Sequence, residues 1–298
     1  MGSESRRAVN AMTVDVEEHF QVSAFEGSID RSAWPDHPSR VMDNTRRLLD
    51  LFDECATRAT FFVLGWVAER RPELAREIVD RGHELACHGY SHRLIYTQER
   101  GEFAEETRRA RELLEDAAGQ EVRGYRAASF SIREDTLWAL DVLAECGFTY
   151  DSSLFPVVHD RYGIPGSPRG IHVRATAAGP LIEIPPSTVR VAGMVLPALG
   201  GGYLRLYPTR VTRWALSRIN DEGMPGLVYV HPWEVDPDQP RVDAPLLARF
   251  RHYNGLRRTA AKLRDLMQRF RFGRMCDVLD GVDGVAMPAH TLAGSHGP

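Results

Sequence analysis

Met12-Thr13-Val14-Asp15-Val16-Glu17-Glu18 is the stretch from which the fold of this chain is read. It starts as an apolar, β-branched run and ends in carboxylates. Residues i and i+2 of a strand point to the same side. Asp15 and Glu17 can therefore face one cavity while Val14 and Val16 face covering helices. Taken alone, the stretch reads more readily as a strand, Ala11–Val16, running into a solvated acidic turn at Glu17-Glu18-His19. Its weight comes from what lies further along the chain.

Strand-length apolar runs ending in a polar residue recur four more times. Glu84-Leu85-Ala86-Cys87 leads into His88-Gly89-Tyr90-Ser91-His92, and Val122-Arg123-Gly124-Tyr125 leads into Arg126. Phe148-Thr149-Tyr150 ends in Asp151, and Leu227-Val228-Tyr229-Val230 ends in His231. A spacing of four puts His88 and His92 on one side of a helical turn, which suits chelation of one ion, while Gly89 points to a loop. Each motif alone has a plain structural reading: surface histidines, a turn cap at Asp151, a core histidine at 231. An arginine at the end of an inner strand needs a charged partner, and Asp15 is the obvious one for Arg126.

Helical patterns separate these runs. Arg40–Cys55 is amphipathic, with Val41, Thr45, Leu48, Leu49 and Phe52 on one face. Ala59–Leu64 is a second strand. Pro72–Arg81 opens on proline and stops at Gly82, and Glu102–Ala118 and Thr136–Cys146 follow as helices. Pro180–Pro185 supplies a later strand. Strand alternating with helix predicts an α/β fold, a distorted (β/α) barrel of about seven parallel strands. In such a barrel all C-terminal strand ends open on one face, where the chemistry sits. Pro156–Gly202, rich in proline and glycine, is expected to form loops over one rim. The basic stretch 241–275 is expected to carry one helix, Phe250–Phe272, packed on the barrel. Residues 1–7 are expected to be a disordered or cloning-derived N-terminus, residues 8–280 the domain, and residues 281–298 a disordered tail.

Composition narrows the class. With 43% hydrophobic and 26% charged residues the chain is an ordinary globular protein, and a net charge of −4 argues against nucleic-acid binding. Cys55, Cys87, Cys146 and Cys276 show no paired spacing and read as free thiols of a reducing compartment. No apolar stretch is long enough to span a membrane, and Met1–Arg7 lacks a signal-peptide core, so a cytoplasmic location is expected, with peripheral membrane association left open.

The ordered motifs resemble the polysaccharide deacetylase family, the NodB-homology or carbohydrate esterase family 4 group. The match is an acidic first strand, a His-x-x-x-His turn, an Arg motif, an Asp motif and a late Leu-x-x-x-His strand, from about Ala8 to Asp236. Thr13–Phe20, Gly124–Ala127, Gly200–Tyr203 and Tyr253–Gly273 are further similar to the deacetylases of exosortase (PEP-CTERM) exopolysaccharide loci, which extends the likeness to about Leu279. The resemblance implies one divalent metal ion on Glu17, His88 and His92, Zn2+ or alternatively Co2+, Ni2+ or Mn2+. It implies Asp15 as general base, Arg126 holding Asp15, and His231 as the acid that protonates the leaving amine, with Asp151 keeping His231 charged. Ser129 and Phe130 would border an oxyanion site. Tyr203, Trp233 and Phe155 would each either offer an aromatic face to a sugar or belong to the core. The implied substrate is an N-acetylated, hexosamine-containing polysaccharide or its lipid-linked precursor.

Two departures stand out. Many members carry adjacent aspartates in the first motif, whereas here the second carboxylate is Glu17, with Glu18 as the alternative ligand. The Arg motif usually contains a proline where this chain has Ala127-Ala128. Two other functions fit parts of the pattern: hydrolysis of a linear or cyclic amide, as in allantoinase-like relatives, and a non-catalytic carbohydrate-binding or assembly protein with a relic site. The oligomeric state is open.

Overall fold

The structure, a computed structural model, describes residues 9–159 and 162–281. Strand β1 (Asn10–Val16) is followed by α1 (Val41–Glu54), β2 (Thr60–Val63), α2 (Gly65–Arg70) and α3 (Pro72–Asp80). Next come β3 (Glu84–Cys87), α4 (Arg100–Ala118), β4 (Gly124–Tyr125), α5 (Trp138–Glu145) and β5 (Tyr150–Asp151). Two antiparallel hairpins follow, β6 (His172–Thr176) with β7 (Gly179–Glu183) and β8 (Thr188–Val191) with β9 (Met194–Pro197). The chain ends through α6 (Gly201–Leu206), α7 (Thr209–Asp221), β10 (Leu227–Val230), α8 (Leu246–Tyr253), α9 (Leu256–Arg269), β11 (Phe272–Gly273) and α10 (Met275–Asp280).

The main sheet runs β10-β1-β2-β3-β4-β5-β7-β6. Every neighbouring pair from β10 to β7 is parallel, giving the seven parallel strands expected; the two-residue β11 pairs parallel with β1 off this path, and β6 is added antiparallel at the edge. Among the described residues this ladder does not close by strand pairing. The segment after β7 spans the opening instead: Leu227 N donates to Ser187 Oγ (2.7 Å), and Gly200 bridges to Tyr229.

The strand period of two sorts the core. Met12, Val14 and Val16 belong to an outer apolar cluster with Leu48, Phe52, Leu74 and Leu114 of the helices. The opposite strand faces, Ala11, Phe62, Ala86, Tyr150, Ile182, Leu227 and Tyr229, form an inner cluster. Met275, Val278 and Leu279 of α10 plug that interior, fixed by Met275 N donating to Thr60 Oγ1 and Cys276 N donating to Glu84. An interior sealed by a helix at the N-terminal strand ends leaves the C-terminal ends as the open face.

Two expectations need correction. Pro156–Gly202 is not only loop: the two hairpins lie within it, and β8–β9 turns on Ala192 and Gly193, both at positive φ (48° and 82°), the hairpin-forming conformation. The helical pattern Phe250–Phe272 is two helices, because Asn254 is extended and Gly255 sits at φ 79°. The expected N-terminal segment 1–7 and, Gly281 apart, the expected tail 281–298 lie outside the described residues.

Candidate active site

Six of the seven charged and ligand residues that the sequence singles out sit on or just past the C-terminal ends of parallel strands. Asp15 lies in β1 and Glu17 one residue beyond it; His88 follows β3 directly, Arg126 follows β4, Asp151 closes β5 and His231 follows β10. Parallel pairing carries all six to one end of the sheet. His92 joins them from the loop after His88, which is not a helical turn: Gly89 (φ 76°) and His92 (φ 52°) are both left-handed, and this folds the second imidazole back toward the first. The ring centroids of the two histidines are 5.4 Å apart.

Glu17, His88 and His92 each offer a ligand atom, all within 4.8 Å of one another, and all three residues are buried. Three features fit a metal ion there. His92 Nε2 stands 2.8 Å from Glu17 Oε2, which has no other polar partner, so the two atoms converge on one point. Glu17 Oε1 is engaged by Trp233 Nε1–H (3.1 Å), which turns Oε2 inward. His88 Nδ1 lies 2.8 Å from the carbonyl of Arg126; donation of Nδ1–H there leaves the Nε2 lone pair free for a cation. A carboxylate and two imidazoles suit a divalent transition metal with open positions. Burial pushes Glu17 up, but the facing histidines, His92 foremost, bring it to about 2, and burial holds His88 down at about 4.

Glu18, the alternative ligand, is occupied elsewhere. Its carboxylate accepts from Ser39 Oγ and from the backbone N–H groups of Arg40 and Val41 (3.0–3.2 Å), capping the start of α1.

Beside the ligands, Asp15 Oδ1 accepts from Arg126 Nη1 at 2.6 Å. That guanidinium is fully buried, lies 4.0 Å over the Phe62 ring, and also donates to Thr13 Oγ1 and Ser152 Oγ. Asp15 Oδ2 remains 3.9 Å from His231 Nε2. The resemblance-based partner of His231 is corrected here. Glu234, not Asp151, receives His231 Nδ1 at 2.6 Å, and Glu234 Oε2 in turn accepts from the buried Arg205 Nε at 2.6 Å. Burial alone would lower His231; the Glu234 bond and the charges of Glu17, Glu234 and Asp15 raise it to about 9. Asp151 instead meets Ser153 Oγ (2.6 Å) and Glu183, and Ser153 holds the Ala127 amide (2.8 Å). The loop that lacks the usual proline is thus tied down by a hydrogen bond that proline could not make.

Glu234 and Arg205 are the residues that sequence reasoning missed. The signal was present in His231-Pro232-Trp233-Glu234, a carboxylate three residues after a strand end, the position that reaches back to the N-cap backbone; Glu234 does accept from His231 N (3.1 Å). Arg205, on α6, had no such signal.

A cavity of about 440 Å³ opens over these groups, lined by Asp15, Glu17, His88, His92 and His231 on its floor and by Ser129, Phe130 and Tyr203 on its wall. Ser129 and Phe130 are both left-handed (φ 50° and 54°), and Ser129 Oγ bonds Ser23 Oγ (2.6 Å). Two expected sugar platforms take other places. Trp233, though it borders the cavity, is 5% exposed and stacked between His231 and His252, and Phe155, 1% exposed, packs in the inner core.

Comparison with known proteins divides the chain into two matched stretches. Residues 33–150 match the family model described as polysaccharide deacetylase, and residues 152–280 match a domain of unknown function, DUF3473. Over 108 residues the chain is 34% identical to a peptidoglycan deacetylase of Helicobacter pylori, covering 36% of each protein. It is 33% identical over 100 residues to a chitooligosaccharide deacetylase of Bradyrhizobium, covering 34% of this chain and 43% of that one. The matched stretch thus spans well under half of these curated relatives. A crystal structure of a candidate polysaccharide deacetylase from Mycobacterium smegmatis superposes with a TM-score of 0.65 at 23% identity, covering 99% of this chain and 96% of the other, and so shares the fold. Family model and relatives agree with the strand-end geometry, and the part of the chain they match, residues 33–150, is polysaccharide deacetylase sequence of the NodB-homology, carbohydrate esterase family 4 type, set in a fold shared with the mycobacterial structure.

Proposed function

We propose that this chain is a metal-dependent hydrolase that removes N-acetyl groups from a hexosamine-containing bacterial polysaccharide, an exopolysaccharide of the exosortase type. The observation that carries this reading is the pairing across one cavity of an arginine-held carboxylate, Asp15, with an imidazole held by a second carboxylate, His231 on Glu234. One group is placed to take a proton and the other to give one, beside three ligand side chains.

A divalent ion on Glu17, His88 and His92, Zn2+ in our reading, would supply Lewis acidity to the acetyl carbonyl and to water. Asp15, oriented by Arg126, accepts the proton of the attacking water through Oδ2. His231, raised to about 9, is protonated at neutral pH and delivers Nε2–H to the amine nitrogen as the C–N bond breaks. Acetate and a free amine result. Glu234 holds the imidazole through Nδ1, so that Nε2 faces the cavity. Ser129 and Phe130 shape the wall where the carbonyl oxygen would lie, and Tyr203 offers the remaining aromatic face for a sugar.

Acetate release from N-acetylglucosamine oligomers by zinc-loaded protein tests the reading. The parent is expected to release acetate, and Asp15→Asn to lose about 10²–10⁴-fold in rate, the usual contribution of a general base. Undiminished release by the variant sinks Asp15 as base. A metal-loaded parent inert on every acetylated saccharide, yet active on a small amide, sinks the polysaccharide assignment.

A further inference from the structure

Helix α8 (Leu246–Tyr253) stands apart from the other helices in burying only His252. Leu246, Leu247 and Phe250 are 82%, 60% and 58% exposed. At about 100° per residue, Leu246, Phe250 and Leu247 fall in that angular order on one side, flanked by Arg249 before them and Arg251 after them. An apolar strip bordered by arginines is the pattern of a helix lying in a lipid interface, where long basic side chains reach the phosphates while the apolar face enters the acyl boundary. A run of large exposed side chains on one helix marks a contact surface rather than surface scatter.

The charge of the segment says which surface. From Leu246 to Arg258 there are four arginines and no carboxylate. Among the described residues Arg249, Arg251 and Arg258 form no ion pair, and Arg257 meets only Asp238, at 3.7 Å. A second copy of this chain joined about a two-fold axis would set these arginines against their own copies. Anionic lipid phosphates complement them. The location also has meaning: α8 packs on Ser23–Phe25, and Ser23, Ala24 and Arg251 line the mouth of the active-site cavity, with the 43%-exposed Leu206 continuing the apolar rim.

We propose that this face of α8 docks on an anionic bilayer, with Leu246, Leu247 and Phe250 in the interface and Arg249 and Arg251 on lipid phosphates, so that the cavity opens at the membrane surface. The inference concerns binding and stands whether or not the reaction is the one proposed above.

The test is co-sedimentation of the full chain with phosphatidylcholine vesicles, with and without phosphatidylglycerol. The chain is expected to bind the anionic vesicles, less so as salt rises, and to leave the neutral ones largely unbound. Leu247→Ser/Phe250→Ser and, separately, Arg249→Gln/Arg251→Gln are each expected to weaken partitioning roughly tenfold or more. The melting temperature is expected to be unchanged, because these side chains are outside the core. Absence of binding by the parent, or binding by either variant as strong as the parent's, overturns the proposal. So does a parent dimer in sedimentation equilibrium that Leu247→Ser/Phe250→Ser dissociates without vesicle binding, which assigns the face to a second copy.

Discussion

Two buried carboxylates at the ends of strands, Asp151 closing β5 and Glu234 just past β10, meet opposite surroundings. Asp151 faces another acid, Glu183. Burial raises Asp151 to about 6, and burial together with the charge of Asp151 raises Glu183 well above its ordinary value. Such a pair holds a shared proton and carries less than two charges. Glu234 lies between the buried guanidinium of Arg205 and the His231 imidazole, which outweigh burial and keep it ionised. A carboxylate can hold an imidazolium only if it is itself an anion. The environment therefore assigns that task to Glu234 and leaves Asp151 to brace the Arg126 loop through Ser153.

Substitution at Glu234 has the largest expected effect on this contrast. Glu234→Gln leaves Arg205 as an uncompensated buried charge, a cost of about 3–5 kcal/mol in stability. It also removes the anion that raises His231. The deacetylation rate is expected to fall about 10²-fold or more, with the alkaline limb of the pH–rate profile moving below about 9. An unchanged alkaline limb in a folded variant would return the orienting role to another group.

The acid pair comes next. Both members have folded values above their ordinary 3.8 and 4.5, so their contribution is fully present below about pH 4 and is lost as pH rises through about 6 and beyond. Glu234, held low, has the opposite sign: its contribution is present above its ordinary value of 4.5 and is lost as pH falls further. Asp151→Asn/Glu183→Gln should therefore gain stability at pH 8 relative to pH 5, on the order of 1–3 kcal/mol. Thermal melts of parent and variant at the two pH values measure it; a parallel pH dependence contradicts the shared proton. The single Asp151→Asn change should leave the rate within the parent's order of magnitude, since His231 keeps Glu234.

A smaller effect separates the adjacent Glu17 and Glu18. Glu18→Gln is expected to cost about 1 kcal/mol, the worth of a helix cap, with metal binding intact. Glu17→Gln is expected to lose the metal. Isothermal titration with Zn2+ alongside thermal melts distinguishes them, and equal metal loss in both variants would reopen the choice of ligand.

Much of this was readable from residues alone, because the signals are local. Period-two alternation in Met12–Glu17 placed Asp15 and Glu17 on one side, and strand–helix alternation set the parallel sheet that gathers His88, Arg126, Asp151 and His231. Local signals also existed where the reading went astray: Asn254-Gly255 breaks the last long helix, and Ala192-Gly193 turns a hairpin within a stretch taken as loop. For Phe155 and Trp233 the sequence leaves sugar platform and core equally open, because an aromatic side chain near a site looks the same in sequence whether it stacks on a ligand or on the protein.

The identity and order of the candidate site residues, Glu234 and Arg205 apart, follow from the sequence by itself, since strand periodicity and strand ends are properties of neighbouring residues. Which groups pair was decided only by the tertiary structure. Arg205 reaches Glu234 across 29 residues of chain, Trp233 reaches Glu17 across 216, and Glu18 turns away from the cavity to cap a helix that starts 23 residues later. Pairing of buried charges depends on distance in space and on the loss of water around them, and neither is written in the spacing of residues along the chain.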